Sequence, residues 1–190
     1  MRERTLIMVS GFAATGKSTL CRLIGEDLKL RVYSGGEALL LAAKRFGYNP
    51  RGLEWWDTKE GLEFLERRKL DNSIDRSVDE ELKKIASRES AVIDSWVLPW
   101  LVDEGYKIWL KADLEARAER LIKRSKLDLE TAVTTIRERD EVNRQLYYSL
   151  YKIRLGEDFS PFHLVLDTSR LETMSVFRIV RTAIHEQFNL

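Results

Sequence analysis

The sequence predicts a three-layer α/β fold, a five-stranded parallel sheet with helices on both faces. Three observations carry this. Short, mostly apolar runs alternate along the chain with longer segments of helical period. The runs lack strict in-and-out alternation, which is how strands buried on both faces read. The first run feeds directly into Gly11-Phe12-Ala13-Ala14-Thr15-Gly16-Lys17-Ser18, the pattern G-x-x-x-x-G-K-S/T, which joins a strand to a helix around a phosphate.

Leu6-Ile7-Met8-Val9 is the first strand, closed by Ser10-Gly11. Beyond the loop, Leu20, Leu23, Ile24 and Leu28 recur at helical spacing. Arg31-Val32-Tyr33-Ser34 is a second strand, and Gly35-Gly36 opens a helix to about Phe46. Lys59 to Arg88 is charged and free of proline, so it is helical, with a break near Asp71-Asn72-Ser73. Ala91-Val92-Ile93 is a third strand that stops at Asp94, Tyr106–Leu110 a fourth and His163–Leu166 a fifth. Helices Leu114–Lys123 and Leu129 to about Tyr151 separate the last two. The final helix, Met174–Phe188, sets Met174, Phe177, Val180, Ile184 and Phe188 on one face. Ligands of such sheets bind beyond the carboxyl ends of the strands, so Gly11–Ser18, Ser34–Glu37 and Asp94 share one rim.

The chain has 190 residues, enough for one domain with a sizeable core. Its charges nearly cancel, 32 basic against 31 acidic residues, which argues against a general nucleic-acid or anionic-membrane binder. One cysteine, Cys21, leaves no internal disulfide and fits a reducing cytosol. No apolar run approaches the roughly 20 residues of a membrane helix. Met1-Arg2-Glu3-Arg4 precedes only four apolar residues, too short for a signal-peptide core, so a cytoplasmic protein is expected.

The loop's residue types follow from its chemistry. Glycines let consecutive N–H groups converge on phosphate oxygens. Lys17, expected to face solvent, brings positive charge to the β- and γ-phosphates of ATP, and Ser18 offers a hydroxyl ligand for Mg²⁺. The helix that starts here, through Thr19, adds the positive end of its dipole. Asp94, at the end of a buried strand, is placed to orient Mg²⁺ or its waters; the plainer alternative is a turn cap. A guanine-nucleotide switch would need Asn-Lys-x-Asp, and Asn72-Ser73-Ile74-Asp75 lacks the lysine.

Arg117, Arg120 and Arg124 fall at i, i+3 and i+7 on one helix, and Arg137, Arg139 and Arg144 on the next. Phosphoryl transfer asks the protein chiefly to position groups and neutralise charge, which guanidinium forks do well. The alternative is a solvated face paired with Glu119, Glu138, Asp140 and Glu141. Trp109 reads as core. Trp55 and Trp56 are packing anchors, or an exposed pair that stacks on an acceptor ring or binds a partner. His163 and His185 read as structural.

On these residues the sequence resembles the cytidylate kinase family, and most closely its compact archaeal type. The likeness rests on Ser10–Leu20 (SGFAATGKSTL), Ser34-Gly35-Gly36-Glu37, Ile74-Asp75-Arg76-Ser77-Val78-Asp79, Lys107–Arg120 (KIWLKADLEARAER) and Thr135–Arg144 (TIRERDEVNR) with Leu166-Asp167-Thr168-Ser169. It implies strand order 2-3-1-4-5, ATP as donor with Mg²⁺, a helical acceptor-binding part at about 35–88 and a lid at about 124–145, within one domain spanning 1–190. It puts Arg120 near the ATP base and makes Arg137, Arg139 and Arg144 lid ligands of phosphate. Ser34, Gly36, Asp75, Arg76 and Trp96 would face the acceptor. Two positions depart from the family. Leu40 and Trp96 stand where the family carries arginines that grip the acceptor phosphate, which implies a reshaped acceptor rim. The expected reaction is ATP + NMP ⇌ ADP + NDP, with CMP or a related pyrimidine nucleotide as acceptor and a monomer or homodimer as the working form. A kinase for another small acceptor, and a nucleotide-binding regulatory module with little catalysis, remain as alternatives.

Overall fold

Six consecutive residues without a charge form β1 (Leu6–Gly11), and every one is buried. This computed structural model describes residues 4–189, so Met1–Glu3 of the N-terminal reading, and Leu190, lie outside the described residues. After β1 come α1 (Lys17–Leu28), β2 (Arg31–Ser34), α2 (Gly35–Arg45), a 3₁₀ turn (Leu53–Asp57), α3 (Lys59–Leu70) and α4 (Ser73–Arg88). Then follow β3 (Ala91–Asp94), α5 (Leu98–Leu101), β4 (Tyr106–Lys111), α6 (Leu114–Ser125), α7 (Leu129–Tyr151), β5 (Leu164–Asp167) and α8 (Thr173–Phe188).

The five strands form one parallel sheet in the order β2-β3-β1-β4-β5. The register puts Asp94 opposite both Val9 and Ser34, so the ends of β1, β2 and β3 meet at one rim. On one face Leu20, Cys21 and Ile24 of α1 pack with Val176, Val180 and Ile184 of α8 over Ile7, Val9 and Ile108. On the other, Leu82 and Ala86 of α4 cover Leu6, Met8 and Ile93. The outer strands are less covered, with Val32 and Val165 exposed, because an edge strand has neighbours on one side only.

Helix starts are fixed by short polar side chains. Asp113 Oδ1 accepts from Ala116 N at 2.8 Å, Asp128 Oδ1 from Thr131 N at 3.0 Å, and Thr58 Oγ1 from Gly61 N at 3.2 Å. Ser34 caps α2 in the same way, through Glu37 N at 3.3 Å. A second core lies under α2, the 3₁₀ turn, α3 and α4, where Leu39, Leu40, Ala43, Trp55, Trp56, Phe64 and Leu65 pack together with Val142 of α7. The expected break at Asp71-Asn72-Ser73 is where α3 ends and α4 begins.

Two short elements differ from the sequence reading: the 3₁₀ turn Leu53–Asp57 and α5, which Pro99 enters in its first turn. Neither is long enough to show a period. Trp55 and Trp56 are both buried, so an exposed tryptophan pair is corrected to a packed one. Trp109 is core, as expected. His163 immediately precedes β5 and accepts from Lys107 N through Nδ1 at 3.0 Å. Among the described residues no helix is long and apolar enough to cross a membrane.

Candidate active site: a phosphate cradle between two clefts

The turn from β1 into α1 depends on unusual backbone. Gly16 has φ 98° and Ala14 φ 59°, both left-handed, so the chain curls between strand and helix. Gly11 has φ 147°, and a side chain there would collide with the carbonyl of Leu110 on β4. Both backbone groups of Ala13 are tied down from behind. Its carbonyl accepts from Arg117 Nε at 2.7 Å, and its N–H donates to Asp140 Oδ1 at 3.3 Å. Arg117 and Asp140 are buried and bonded to each other at 2.6 Å. Arg117 therefore braces the loop from within, which corrects its reading as part of an open arginine face. A lone helical spacing does not tell a buried arginine from an exposed one.

Lys17 also departs from expectation. Instead of facing solvent it is 8% exposed, its Nζ donating to Phe12 O at 2.9 Å and lying 5.0 Å from the centre of the Trp96 ring. Burial pulls its pKa down to about 8, against the opposing pull of Asp94. Ser18 Oγ donates to Asp94 Oδ2 at 2.6 Å, so the hydroxyl and carboxylate stand together at the mouth of the loop. Thr15 Oγ1 closes the loop on Phe12 O at 2.9 Å.

A cleft opens on each side of this loop. The first is lined by Lys17, Ser18 and Asp94 and runs past Trp96 to Ser34, Gly36, Trp56, Arg68, Arg124 and Arg139. The second runs from Gly16 and Thr19 to Arg120, Lys123, Thr168 and Thr173. Ala14, Gly16, Thr19 and Arg124 border both, which makes the loop the wall between them. Arg120 is held by Thr168, through Oγ1 at 3.0 Å and through the carbonyl.

The other candidates divide. Arg139 lines the first cleft, and Arg144 lies with its guanidinium 4.5 Å from the centre of the Phe12 ring. Arg137 is exposed and borders a surface groove with Leu62 and Glu63, outside both clefts. Asp75 is buried and bonded to Arg68, Nε to Oδ2 at 2.9 Å, so Arg68 rather than Asp75 presents to the first cleft. Arg76 is exposed and lines neither cleft. Leu40 packs inside the second core, while its neighbour Leu39 reaches the cleft. This corrects Leu40's expected place on the acceptor rim.

Sequence reasoning missed Arg68 and Asp57. Asp57, at the end of the 3₁₀ turn, is buried and accepts from Arg124 Nη2, from Arg139 Nη1 and from Ser125 Oγ, the last at 2.8 Å. Its one sequence signal is an acid directly after two tryptophans. The carboxylate–guanidinium contacts join segments too far apart in the chain for spacing to reveal them.

The donor groups suit a triphosphate: a buried ammonium, a curled loop and the start of a twelve-residue helix. The oxygen pair of Ser18 and Asp94 suits a hard cation that takes its remaining ligands from phosphate and water. Among the described residues no three His, Cys, Asp or Glu side chains gather as a metal cage.

Comparison with known proteins agrees with this construction. Residues 6–170 match the model of the cytidylate kinase-like family. The cytidylate kinase of Methanocaldococcus jannaschii is 33% identical over 184 residues, covering 94% of this chain and 97% of that protein. That of Pyrococcus abyssi is 35% identical over 180 residues, covering 94% and 93%. Among solved structures, shikimate kinase from Bacteroides thetaiotaomicron superposes with a TM-score of 0.57 at 14% identity, covering 98% of this chain and 99% of that one, a likeness of fold. A family match over most of the length, joined to a phosphate loop set between two clefts, shows that this chain belongs to the cytidylate kinase-like family.

Proposed function

We propose that the chain is an ATP-dependent nucleoside-monophosphate kinase, moving the γ-phosphoryl group of ATP onto the phosphate of CMP or a related pyrimidine nucleotide. The observation that carries the reading is the two-cleft arrangement in a chain of this family, one cleft for each nucleotide with the cradle between. An acceptor phosphate oxygen forms its bond to the γ-phosphorus as the bond to the ADP oxygen breaks, so the two must lie in line across the loop.

Each residue has a task in this scheme. Lys17 and the loop amides neutralise the β- and γ-phosphates, and Arg139 and Arg144 meet the transferring group from the lid side. Arg120 borders the donor-base cleft. Ser18 and Asp94 would hold Mg²⁺, which would supply neutralising charge to the phosphates. Segment 35–88 carries the acceptor and segment 124–145 acts as the lid, within a cytoplasmic monomer or homodimer. The balanced charge of the chain gives no reason to add a nucleic-acid partner.

A panel of nucleoside monophosphates with ATP and Mg²⁺, read by coupled ADP release, tests this. Turnover of CMP above the purine nucleotides is expected, and no turnover of any monophosphate would sink it. One observation favours a second reading, a small acceptor without a phosphate: apolar Trp96, not a cation, lies beside Lys17 in the first cleft. Calorimetric titration separates the two, since binding of CMP that requires its phosphate rules the second out. The regulatory-module alternative loses one of its two motives now that Trp55 and Trp56 are packed, and keeps only the departures at the acceptor site.

A further inference from the structure

Trp56 carries a donor with nothing to bond. Its Nε1 is buried and, among the described residues, has no hydrogen-bond partner, although the residue is only 4% exposed and borders the first cleft. A buried N–H without an acceptor is costly enough to need a reason. The surroundings of Gly36 supply one. Where a side chain would begin at Gly36 there is a notch, 3.6 Å from Ser34 Oγ, 3.8 Å from Leu53 Cδ2 and 3.9 Å from Trp56 Nε1.

Two donors converge on that notch. Ser34 Oγ already accepts from Glu37 N, which leaves its own proton free to donate. Trp56 Nε1–H donates only. The notch also lies at the N-terminus of the eleven-residue helix α2, whose dipole favours negative charge. Indole N–H, hydroxyl and helix end together select an anionic oxygen, and the absent side chain of Gly36 leaves both donors open to it.

We propose that Trp56 Nε1–H, with the Ser34 hydroxyl, binds an oxygen of the acceptor's phosphate in this notch. The inference rests on the monophosphate-kinase reading above. Phosphate is thus held here by neutral donors and a helix end, and Trp56 acts as a hydrogen-bond donor with its ring face packed in the core. Specificity follows: the site prefers an acceptor bearing a phosphate monoester to the bare nucleoside.

Gly36→Ala is the decisive variant, because its structural and functional effects run in opposite directions. Its methyl meets neighbours at ordinary contact distances, and alanine is the better helix former. Tm should rise by roughly 1–4 °C, while the methyl fills the notch. KM for CMP should rise about 10-fold or more, with KM for ATP within about 2-fold. Trp56→Phe, which removes the donor and keeps a ring, should raise KM for CMP by about 10-fold with the same sparing of ATP.

Wild-type CMP turnover with an unaltered KM for CMP in Gly36→Ala overturns the notch alone. Absence of any monophosphate turnover by the wild type overturns the kinase reading and the notch with it. Titration of cytidine distinguishes phosphate from base: equal weakening of cytidine and CMP by Gly36→Ala would move the contact to the base and overturn the phosphate assignment. Cytidine binding that is unchanged, or too weak to detect in both proteins, beside weakened CMP supports it.

Discussion

Asp57 and Arg139 are joined by a partly buried hydrogen bond between residues 82 positions apart, and the same carboxylate also takes Arg124. One acid thus ties the 3₁₀ turn to α6 and α7 and sets the aim of two arginines that border the first cleft. Asp57→Ala leaves those guanidinium groups facing each other. Arg124 is partly exposed, which tempers the loss, so a destabilisation of about 1–3 kcal/mol is expected by urea unfolding, with a fall in kcat. A change below about 0.5 kcal/mol would make the cluster an ordinary surface ion pair.

Lys17→Met should separate catalysis from stability. Removing a charge aimed at the transferring phosphoryl lowers kcat on the order of 100-fold or more. The fold should not suffer, because burial already disfavours the ammonium and methionine keeps the apolar stem. Circular dichroism melting and steady-state rates together check this. Retained turnover would show that the loop's lysine does not reach the phosphates.

Asp79 gives the protein a stability that depends on pH. It is buried on α4 with its Oδ2 accepting from Tyr151 Oη at 2.9 Å, and burial pushes its carboxyl up to about 7 from an ordinary 3.8. The folded protein therefore holds this proton more tightly than the unfolded chain. The resulting stabilisation is complete below about pH 4 and is lost as pH rises through 7. Asp79→Asn keeps an acceptor for Tyr151 and has no proton to lose. It should be more stable than wild type at pH 8 by about 1–3 kcal/mol, with the difference shrinking toward pH 4. A gap that does not change with pH would remove Asp79 as its source.

Leu40→Arg should unfold the second core rather than rebuild a phosphate site. Leu40 packs with Ala43, Trp55 and Phe64, and an unpaired guanidinium there costs about 3 kcal/mol or more. Trp96→Arg differs: it places a cation where the indole now faces Lys17 Nζ, so KM for ATP should rise along with KM for the acceptor. Normal acceptor kinetics and normal melting of Leu40→Arg would reopen its place at the rim.

The sequence was most legible where chemistry is local. The G-x-x-x-x-G-K-S loop, the stop of β3 at Asp94 and the bounds of α7 each follow from residues within a turn or two of one another. Roles that arise from residues meeting across the fold were hidden. Arg117 and Arg124 lie on one helix, yet one is locked behind Ala13 and the other reaches Asp57. Arg68 could not be separated from other charged residues of α3 until Asp75 was found against it. Leu39 and Leu40 are alike by composition, and only packing decides which of them touches the cleft.

The fixing of Ala13 has a mechanical consequence. Its carbonyl belongs to α6 through Arg117, and its amide to α7 through Asp140. Any swing of either helix strains the two peptide groups that flank this one residue first, so the loop moves as a rider on the helix pair rather than as a free hinge. Its shape is thereby preset before a nucleotide arrives, and little ordering entropy is left for binding to overcome.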